Sequence, residues 1–205
     1  MKNSFEIYSK LTKDFYNREL LIVAKDLLGK VFVRKISKKI LAGIIVEVEA
    51  YDGRIDEAAH SFGGITKRNK IMFEEGGLLY VYFIYGIHYC CNVVTGSKGI
   101  GNAVLIRAIQ PMIGIDEMLN NRFGGNNFND KHTLSLTNGP AKITQAFSIN
   151  KKNNGTDLCG KEIYLCDSNF SNEFNIVETK RIGIKKSADL PWRFYIKHNP
   201  FVSKK

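Results

Sequence analysis

Two glutamates and a tyrosine alternate near the end of one strand-like segment, and this spacing can support acid–base chemistry. Residues 44–61, "IIVEVEAYDGRIDEAAHS", begin as a β-branched apolar run that contains Glu47, Glu49 and Tyr51. Because side chains alternate along a strand, these three are expected on one face and the apolar residues between them on the other. A carboxylate in a cleft at the end of such a strand can stay partly hydrated and act as a general base. The alternation alone does not choose between the two glutamates.

Two other interpretations of these acids remain open at this point. Glu47 and Glu49 could form ordinary salt bridges on an exposed face of the sheet. Together with Asp52, Asp56 and Glu57 they could instead supply oxygen ligands for the magnesium of a nuclease, although their spacing matches no recognised ligand pattern.

Tyrosines are concentrated in a second strand-rich segment, at positions 80, 82, 85 and 89. Aromatic residues on strands usually serve packing, because they fit a half-buried pleated surface. Tyr85, however, falls beside Gly86 at the predicted tip of a hairpin, where burial is hardest. An exposed aromatic residue at such a tip is suited to wedging between base pairs.

The elements that would position these residues can be read from periodicity and turn signals. Residues 20–28 have helical apolar spacing, with Asn17 as an N-cap and Gly29 as a stop. "KVFVRK" and "ILAGIIVEVEA" predict two strands joined near Lys38 and Lys39. A short helix is expected over residues 56–59.

Further strands and helices follow towards the C-terminus. "GGLLYVYFIYGIHYCCNVV" predicts two strands that meet near Tyr85 and Gly86, and "AVLIRAI" predicts a strand that carries Arg107. Helices are expected at about residues 112–122 and after Gly139-Pro140.

The segment at about residues 122–133 is the best candidate for a mobile loop, and "LPWRFYIKHNPFVS" predicts a last strand and an edge segment. The mixture indicates an α/β, more closely α+β, fold with a largely antiparallel sheet.

Length and charge narrow the class of protein. A chain of 205 residues with a formal charge of +10 and a pI of about 9.4 is expected to form one domain and to bind a polyanion, with nucleic acid favoured. The start, "MKNSFEIYSKLTKDF", has no apolar stretch typical of a signal peptide, so the protein is expected to stay inside the cell. The longest apolar run, residues 78–94, is interrupted by polar residues and favours strands over a membrane span.

The cysteines are expected to be buried thiols in a reducing compartment. Cys90, Cys91, Cys159 and Cys166 have neither C-x-x-C spacing nor a second cluster of ligands. Zinc, iron–sulfur and disulfide frameworks are therefore poorly supported.

Several motifs together resemble the 3-methyladenine (alkyladenine, methylpurine) DNA glycosylases. They are "VEAYDGRIDEAAHS", "KRNKIMF", "LYVYFIYGIHYCCNVV", "AVLIRAI", "NGPAKITQAF" and "RFYIKHNPFVS", in the family's order over about residues 17–203. The resemblance implies one DNA glycosylase domain over residues 1–205, with an N-terminal segment at about 1–16. It also implies a curved antiparallel sheet flanked by helices, and a hairpin that protrudes into the DNA minor groove.

The resemblance also implies an activity. Family members are monofunctional hydrolases of base excision repair, which flip alkylated or deaminated purines such as 3-methyladenine, 7-methylguanine, hypoxanthine and ethenoadenine out of duplex DNA. They then hydrolyse the N-glycosidic bond and leave an abasic site. Glu49 matches the glutamate that activates the water, and Arg107 matches the arginine that holds both. An arginine there would favour the ionised carboxylate.

Five further positions match residues that handle the flipped base. Tyr51, His60 and Tyr82 match those that sandwich it, and His60 also matches the position that bonds the purine edge. Asn92 matches the asparagine that excludes the 2-amino group of guanine, and Tyr85 matches the residue that intercalates into the vacated stack. Stacking of this kind stabilises a base by about 1 to 3 kcal/mol.

No metal and no organic cofactor is implied, because water is the nucleophile and a damaged purine leaves readily. The implied partner is double-stranded DNA containing damaged purines, with no membrane, a monomeric state and a cytoplasmic, nucleoid-associated location. Lys142 could be imagined as a nucleophile, but a helix lysine near phosphate or solvent is favoured. The loop "GGITKRNK", beside His60, is one residue shorter than in mammalian members, so the resemblance does not fix the width of the pocket or the damage preference. A non-catalytic nucleic-acid binder remains the main alternative function.

Overall fold

The computed structural model describes residues 9–125, 127–168 and 174–204. Five short α-helices and nine β-strands are assigned within them. The helices are α1 (Lys13–Tyr16), α2 (Leu20–Asp26), α3 (Ile115–Phe123), α4 (Asp130–Leu134) and α5 (Pro140–Ala146). The strands are β1 (Val31–Ile36), β2 (Lys39–Tyr51), β3 (Leu78–Ile84), β4 (His88–Thr95), β5 (Asn102–Ile113), β6 (Thr156–Asp157), β7 (Ile163–Cys166), β8 (Ile176–Thr179) and β9 (Arg193–Ile196).

Every strand pair found among these residues is antiparallel. The main path of the sheet runs β6-β3-β4-β5-β2-β1-β7, and β9 joins β2 to β8. The fold is therefore the α+β arrangement with an antiparallel sheet that the sequence predicts. The hairpin β3–β4 exists with its turn at Tyr85 and Gly86, as expected. Entry of this hairpin into a DNA groove stays a prediction.

Strand β2 is the centre of the sheet. One edge pairs with β5 along most of its length, while the other edge is shared by β1 at its start and β9 near its end. Residues 41–50 are all buried, so both faces of this strand are covered. The expectation that one face stays partly hydrated, and the alternative of an exposed face with surface salt bridges, are both wrong for this reason.

Two irregularities interrupt the pairing of β2 with β5. Ile45 faces Ile109 and Val48 faces Ile106, and between these pairs only Glu47 and Ala108 are matched, with a register shift on each side. Arg107 therefore lies at a β-bulge, which bends a strand and redirects side chains locally.

Helix α2 begins at Leu20, as its apolar spacing predicts, but its N-cap differs from the predicted residue. Glu19, not Asn17, caps α2, because its carboxylate accepts hydrogen bonds from the backbone N–H groups of Leu21 and Ile22 at 3.2 and 3.1 Å. Gly29, predicted as the stop, has a φ of 83°, a left-handed conformation that suits glycine after a helix.

Three local expectations are corrected by the structure. Residues 56–59 form turns rather than a helix. The helix expected over 112–122 starts only at Ile115, because β5 continues to Ile113. The segment 122–133 contains the end of α3 and the start of α4, so it is not a loop throughout, and its mobility stays a prediction. The last strand predicted in "LPWRFYIKHNPFVS" is present as β9, which lies between β2 and β8.

The main apolar core packs helices α2, α3 and α5 against the sheet, with Phe32, Phe147 and Phe194 among its largest fully buried side chains. All four thiols are free, and Cys159 is only partly buried, unlike the other three. Among the described residues, no helix is both long and apolar enough to cross a membrane.

Candidate active site

A cavity of about 480 Å³ opens where β2 ends beside the β3–β4 hairpin. Its other walls are β5, the start of α5 at residues 139–142, and residues 182–184. Six of the seven residues singled out in the sequence line it. They are Tyr51, His60, Tyr82, Tyr85, Asn92 and Arg107.

Glu49, the seventh, lies directly behind this wall with no side-chain exposure. Its Oε2 accepts a hydrogen bond from the Tyr51 hydroxyl at 2.8 Å, and its Oε1 accepts one from the backbone N–H of Ile182 at 2.7 Å. Arg107 Nη1 lies 3.2 Å from Oε1. All three donors line the cavity, so Glu49 is separated from it by a single layer of polar groups.

Glu47 is equally buried but faces a different set of donors. Arg107 Nε and Arg193 Nε lie 3.1 and 2.7 Å from its Oε1, and the backbone N–H of Ser203 donates to its Oε2 at 2.6 Å. The Ser203 hydroxyl donates to Oε1 at 2.9 Å. Of these residues only Arg107 lines the cavity, so Glu47 is the anchor of an internal network.

Arg107 joins the two carboxylates. Burial lowers the pKa of its guanidinium, but the charges of Glu49 and Glu47 outweigh burial and raise it above its usual value. The arginine thus stays charged and holds both carboxylates in fixed directions. Its bulged position on β5 lets one side chain reach two acids on the neighbouring strand.

Tyr51 connects the carboxylate to the cavity. Burial, followed by the charge and hydrogen bond of Glu49, raises the pKa of its phenol well above the usual range, so it remains a donor. On its ring lies the guanidinium of Arg181, 4.6 Å from the centroid. Arg181 in turn is held by Asp56 through both carboxylate oxygens, with no side-chain exposure of either partner.

His60 contacts two tyrosines at the cavity wall. Its ring stands edge-on to Tyr82 with centroids 4.5 Å apart, and its Nδ1 lies 3.2 Å from the Tyr80 hydroxyl. Although the residue as a whole is exposed, its ring is packed. This burial, followed by the charge of Arg68, lowers the pKa of the imidazole to about 4. The ring is neutral at physiological pH and offers one donor and one acceptor.

Asn92 lies opposite Tyr80 in the β3–β4 pairing and is buried. Its Nδ2 donates to the Tyr80 carbonyl at 3.3 Å, which fixes the amide at the cavity wall. Lys142, set aside as a nucleophile, also lines the cavity. Its ammonium donates to Asn138 Oδ1 at 2.7 Å, and burial lowers its pKa.

The turn of the hairpin presents apolar side chains to solvent. Tyr85 is 83% exposed, and Phe83 and Ile87 beside it are exposed as well. Tyr85 has a φ of 53° and Gly86 one of 71°, so two consecutive left-handed residues make the chain reversal. A bulky residue in that conformation is uncommon and indicates a constrained turn.

The acids considered as magnesium ligands each have a cationic neighbour. Asp52 pairs with Arg54, Asp56 with Arg181, and Glu57 with Lys186. Among the described residues, no group of three or more histidine, cysteine, aspartate or glutamate side chains is arranged to hold a metal ion. The absence of a cofactor stays a prediction.

Sequence reasoning missed the residues that complete the site from the C-terminal third. Ile182, Arg181, Arg193 and Ser203 are more than 120 positions away from the acids they contact. Arg193 and Ser203 are the first and last residues of the motif "RFYIKHNPFVS", but the motif alone did not give them a partner. For Arg181 the only signal is indirect, because buried acids require partners.

Comparisons with known proteins agree with one another. The family model described as "Methylpurine-DNA glycosylase (MPG)" matches residues 14–200. A "Putative 3-methyladenine DNA glycosylase" of Alkaliphilus oremlandii is 49% identical over 202 residues, covering 96% of this chain and 100% of the relative. Proteins with the same name from Clostridium novyi and Francisella tularensis are 48% and 50% identical, covering 96% and 89% of this chain and 99% and 92% of the relatives.

Proposed function

Because the chain belongs to the methylpurine-DNA glycosylase family, we propose that it removes damaged purines from duplex DNA with Glu49 as the general base. The observation that carries this assignment is the difference between the two buried glutamates. Every donor to Glu49 lines the cavity, whereas Glu47 is enclosed mainly by Arg193 and Ser203. This difference favours Glu49 over Glu47 as the group that contacts a water at the cavity wall.

In the proposed reaction a water enters between Tyr51 and Arg107 and attacks the sugar C1′ of a flipped nucleotide. Glu49 takes the proton of this water, and the bond to the purine breaks. Arg107 orients the carboxylate of Glu49, and a second contact, to Glu47, keeps the arginine side chain in place. The reaction leaves an abasic site without strand cleavage.

The aromatic walls supply the binding. Tyr51, His60 and Tyr82 line a cavity large enough for a purine, and in the proposed complex Tyr51 contacts one side of the base and His60 with Tyr82 the other. Stacking contributes about 1 to 3 kcal/mol per base, which can offset the few kcal/mol lost on unstacking. Neutral His60 bonds the purine edge, and Asn92 excludes the 2-amino group of guanine.

The β3–β4 hairpin is proposed to enter the minor groove. Tyr85, exposed at its tip, would occupy the gap that the flipped nucleotide leaves. The substrate is then double-stranded DNA with alkylated or deaminated purines, including the hypoxanthine and 7-methylguanine classes. The enzyme would work as a monomeric domain in base excision repair, on chromosomal DNA in the cytoplasm.

The test compares wild type with Glu49→Gln on a duplex that contains one hypoxanthine, in EDTA, by free-base release and alkali-labile sites. The glutamine keeps the shape of the side chain but cannot accept the proton, so base release should fall by at least about 100-fold. Binding to the damaged duplex should stay near wild type.

Glu47→Gln is the matched control, since it removes the same charge from the same strand two positions away. It should lower stability and retain more activity per folded molecule than Glu49→Gln. A larger loss of activity per folded molecule in Glu47→Gln than in Glu49→Gln would indicate that Glu47 is the general base. No base release by wild type would support a non-catalytic binder, and strand breaks that need magnesium would support a nuclease.

A further inference from the structure

Both tyrosine walls of the cavity carry an arginine. Arg181 lies 4.6 Å from the ring centroid of Tyr51, and Arg68 lies 5.5 Å from that of Tyr82. Neither arginine lines the cavity itself, whereas both tyrosines do. A base stacked inside would thus have a guanidinium behind the ring on each side.

The two arginines differ in how their charge is balanced. Arg181 is fully buried and pairs with both oxygens of Asp56, so its charge is neutralised locally. Arg68 is exposed, and none of the ion pairs found within the described residues includes it. Its Nη2 donates to the neutral carbonyl of Phe83 at 3.3 Å. The pocket therefore has an uncompensated positive charge behind Tyr82, in addition to the ammonium of Lys142 at its wall, which donates to the neutral amide of Asn138.

We propose that Arg68 sets the charge preference of the base pocket, disfavouring positively charged purine lesions relative to neutral ones. This inference rests on the proposed glycosylase function. N-alkylated purines such as 7-methylguanine carry a positive charge as nucleotides, whereas hypoxanthine is neutral. A base in contact with Tyr82 on the side away from Arg68 would lie roughly 9 Å from the guanidinium carbon, a distance at which two charges in a partly buried site still repel measurably.

The effect persists through the transition state. When a cationic nucleotide reacts, its positive charge moves from the base to the sugar, so the total stays positive. When a neutral one reacts, the departing base gains negative charge beside Arg68, which stabilises it. Repulsion of the cationic nucleotide and stabilisation of the departing base of the neutral one both lower the ratio of kcat/KM for 7-methylguanine to kcat/KM for hypoxanthine.

The experiment is a competition between one duplex with 7-methylguanine and one with hypoxanthine, which gives the ratio of the two kcat/KM values directly. Non-specific DNA binding cancels in this ratio. Arg68→Met should raise the ratio of 7-methylguanine to hypoxanthine excision by about 3- to 20-fold. Arg68→Gln, a polar replacement at this exposed position, should do the same if the methionine variant folds poorly.

Two controls isolate the charge behind Tyr82. Arg68→Lys keeps the charge and should leave the ratio within about twofold of wild type. Lys67→Met removes one charge from the neighbouring exposed position of the same loop and should also leave it unchanged.

An unchanged ratio in both Arg68→Met and Arg68→Gln would overturn the proposal, as would an equal rise in Lys67→Met. A rise in Arg68→Lys comparable to that in Arg68→Met would overturn it too, because the effect would then come from geometry. If wild type released neither base, the proposed glycosylase function itself would be wrong. This outcome is distinct from failure of the Arg68 proposal, in which the enzyme is active but the ratio does not change with the substitution.

Discussion

At the scale of single residues, His60 shows how the packing of one ring sets its chemistry. Burial against Tyr80 and Tyr82, with Arg68 nearby, lowers its pKa from 6.5 to about 4. In a neutral imidazole with Nδ1 engaged by the Tyr80 hydroxyl, the tautomer decides whether Nε2 donates to a purine edge or accepts from it. A protonated ring would lose its acceptor and would repel a cationic lesion.

The lowered pKa of His60 predicts a pH window for stability. Between pH 6.5 and about 4 the unfolded chain binds a proton at this residue that the folded protein does not, so stability should fall as pH decreases through this range. Above pH 6.5 His60 should contribute no pH dependence. His60→Gln should show a shallower decrease in denaturant midpoint between pH 6.5 and 4.5. Titration of the imidazole by NMR at a pKa near 6.5 would contradict this account.

At the scale of secondary structure, the site is built where distant segments cover β2. The sequence predicts β1, β2 and the β3–β4 hairpin because their alternation and turn residues are local signals. Pro140 at the start of α5 is another such signal. The sequence does not predict the bulge at Arg107, or that residues 181–184 cover the second face of β2, since these depend on contacts between remote segments.

The same contrast holds for the candidate site. Six of the seven residues found through the resemblance line one cavity, and Glu49 lies behind it. Residue types alone did not separate Glu49 from Glu47, because the difference lies in their donors and not in their positions along the strand. Arg181 was missed although it fixes Tyr51, because its pairing with Asp56 spans 125 positions.

The hairpin gives a prediction at the same scale. If Tyr85 fills the vacated stack, Tyr85→Ala should raise the free energy of the flipped state by about 1 to 3 kcal/mol relative to the intrahelical state. The flipped population should then fall by roughly 10- to 100-fold. Base release from a fully paired duplex should slow accordingly, while release from a lesion opposite a gap should slow less. Single-turnover rates on both substrates measure this.

The turn itself makes Tyr85→Ala a mild change for folding. The side chain is 83% exposed, so little packing is lost, and alanine in place of tyrosine keeps an L residue at a φ of 53°. Tyr89→Ala, on the same hairpin but partly buried against Phe83, is a control for general damage to the hairpin. Equal losses on both substrates in Tyr85→Ala would mean that the residue has no role in flipping.

At the scale of the whole molecule, the formal charge of +10 is not explained by the arginines of the candidate site, because these are paired with acids. Within the cavity region Glu47, Glu49 and Asp56 are each paired with arginines. The excess of lysine and arginine therefore belongs to the surface, where it can neutralise phosphates. Charge of this kind provides affinity that does not depend on sequence and lets a repair enzyme sample intact DNA for rare lesions.

This surface charge predicts a steep salt dependence for binding of Glu49→Gln to undamaged duplex. Each neutralised phosphate contributes a slope of about −0.9 in log K against log salt, so four contacts would weaken binding by about 150-fold between 50 and 200 mM salt.

Lys142→Gln removes a lysine that lines the cavity, so the slope should become less steep by about 0.9, the contribution of one phosphate contact. Lys161→Gln, beside the edge strand β7, should leave it unchanged. Fluorescence anisotropy with a labelled duplex gives these slopes, and unchanged melting temperatures over the same salt range exclude an effect on folding. A flat dependence, or equal effects of the two lysine variants, would mean that the cavity face is not the DNA-binding surface.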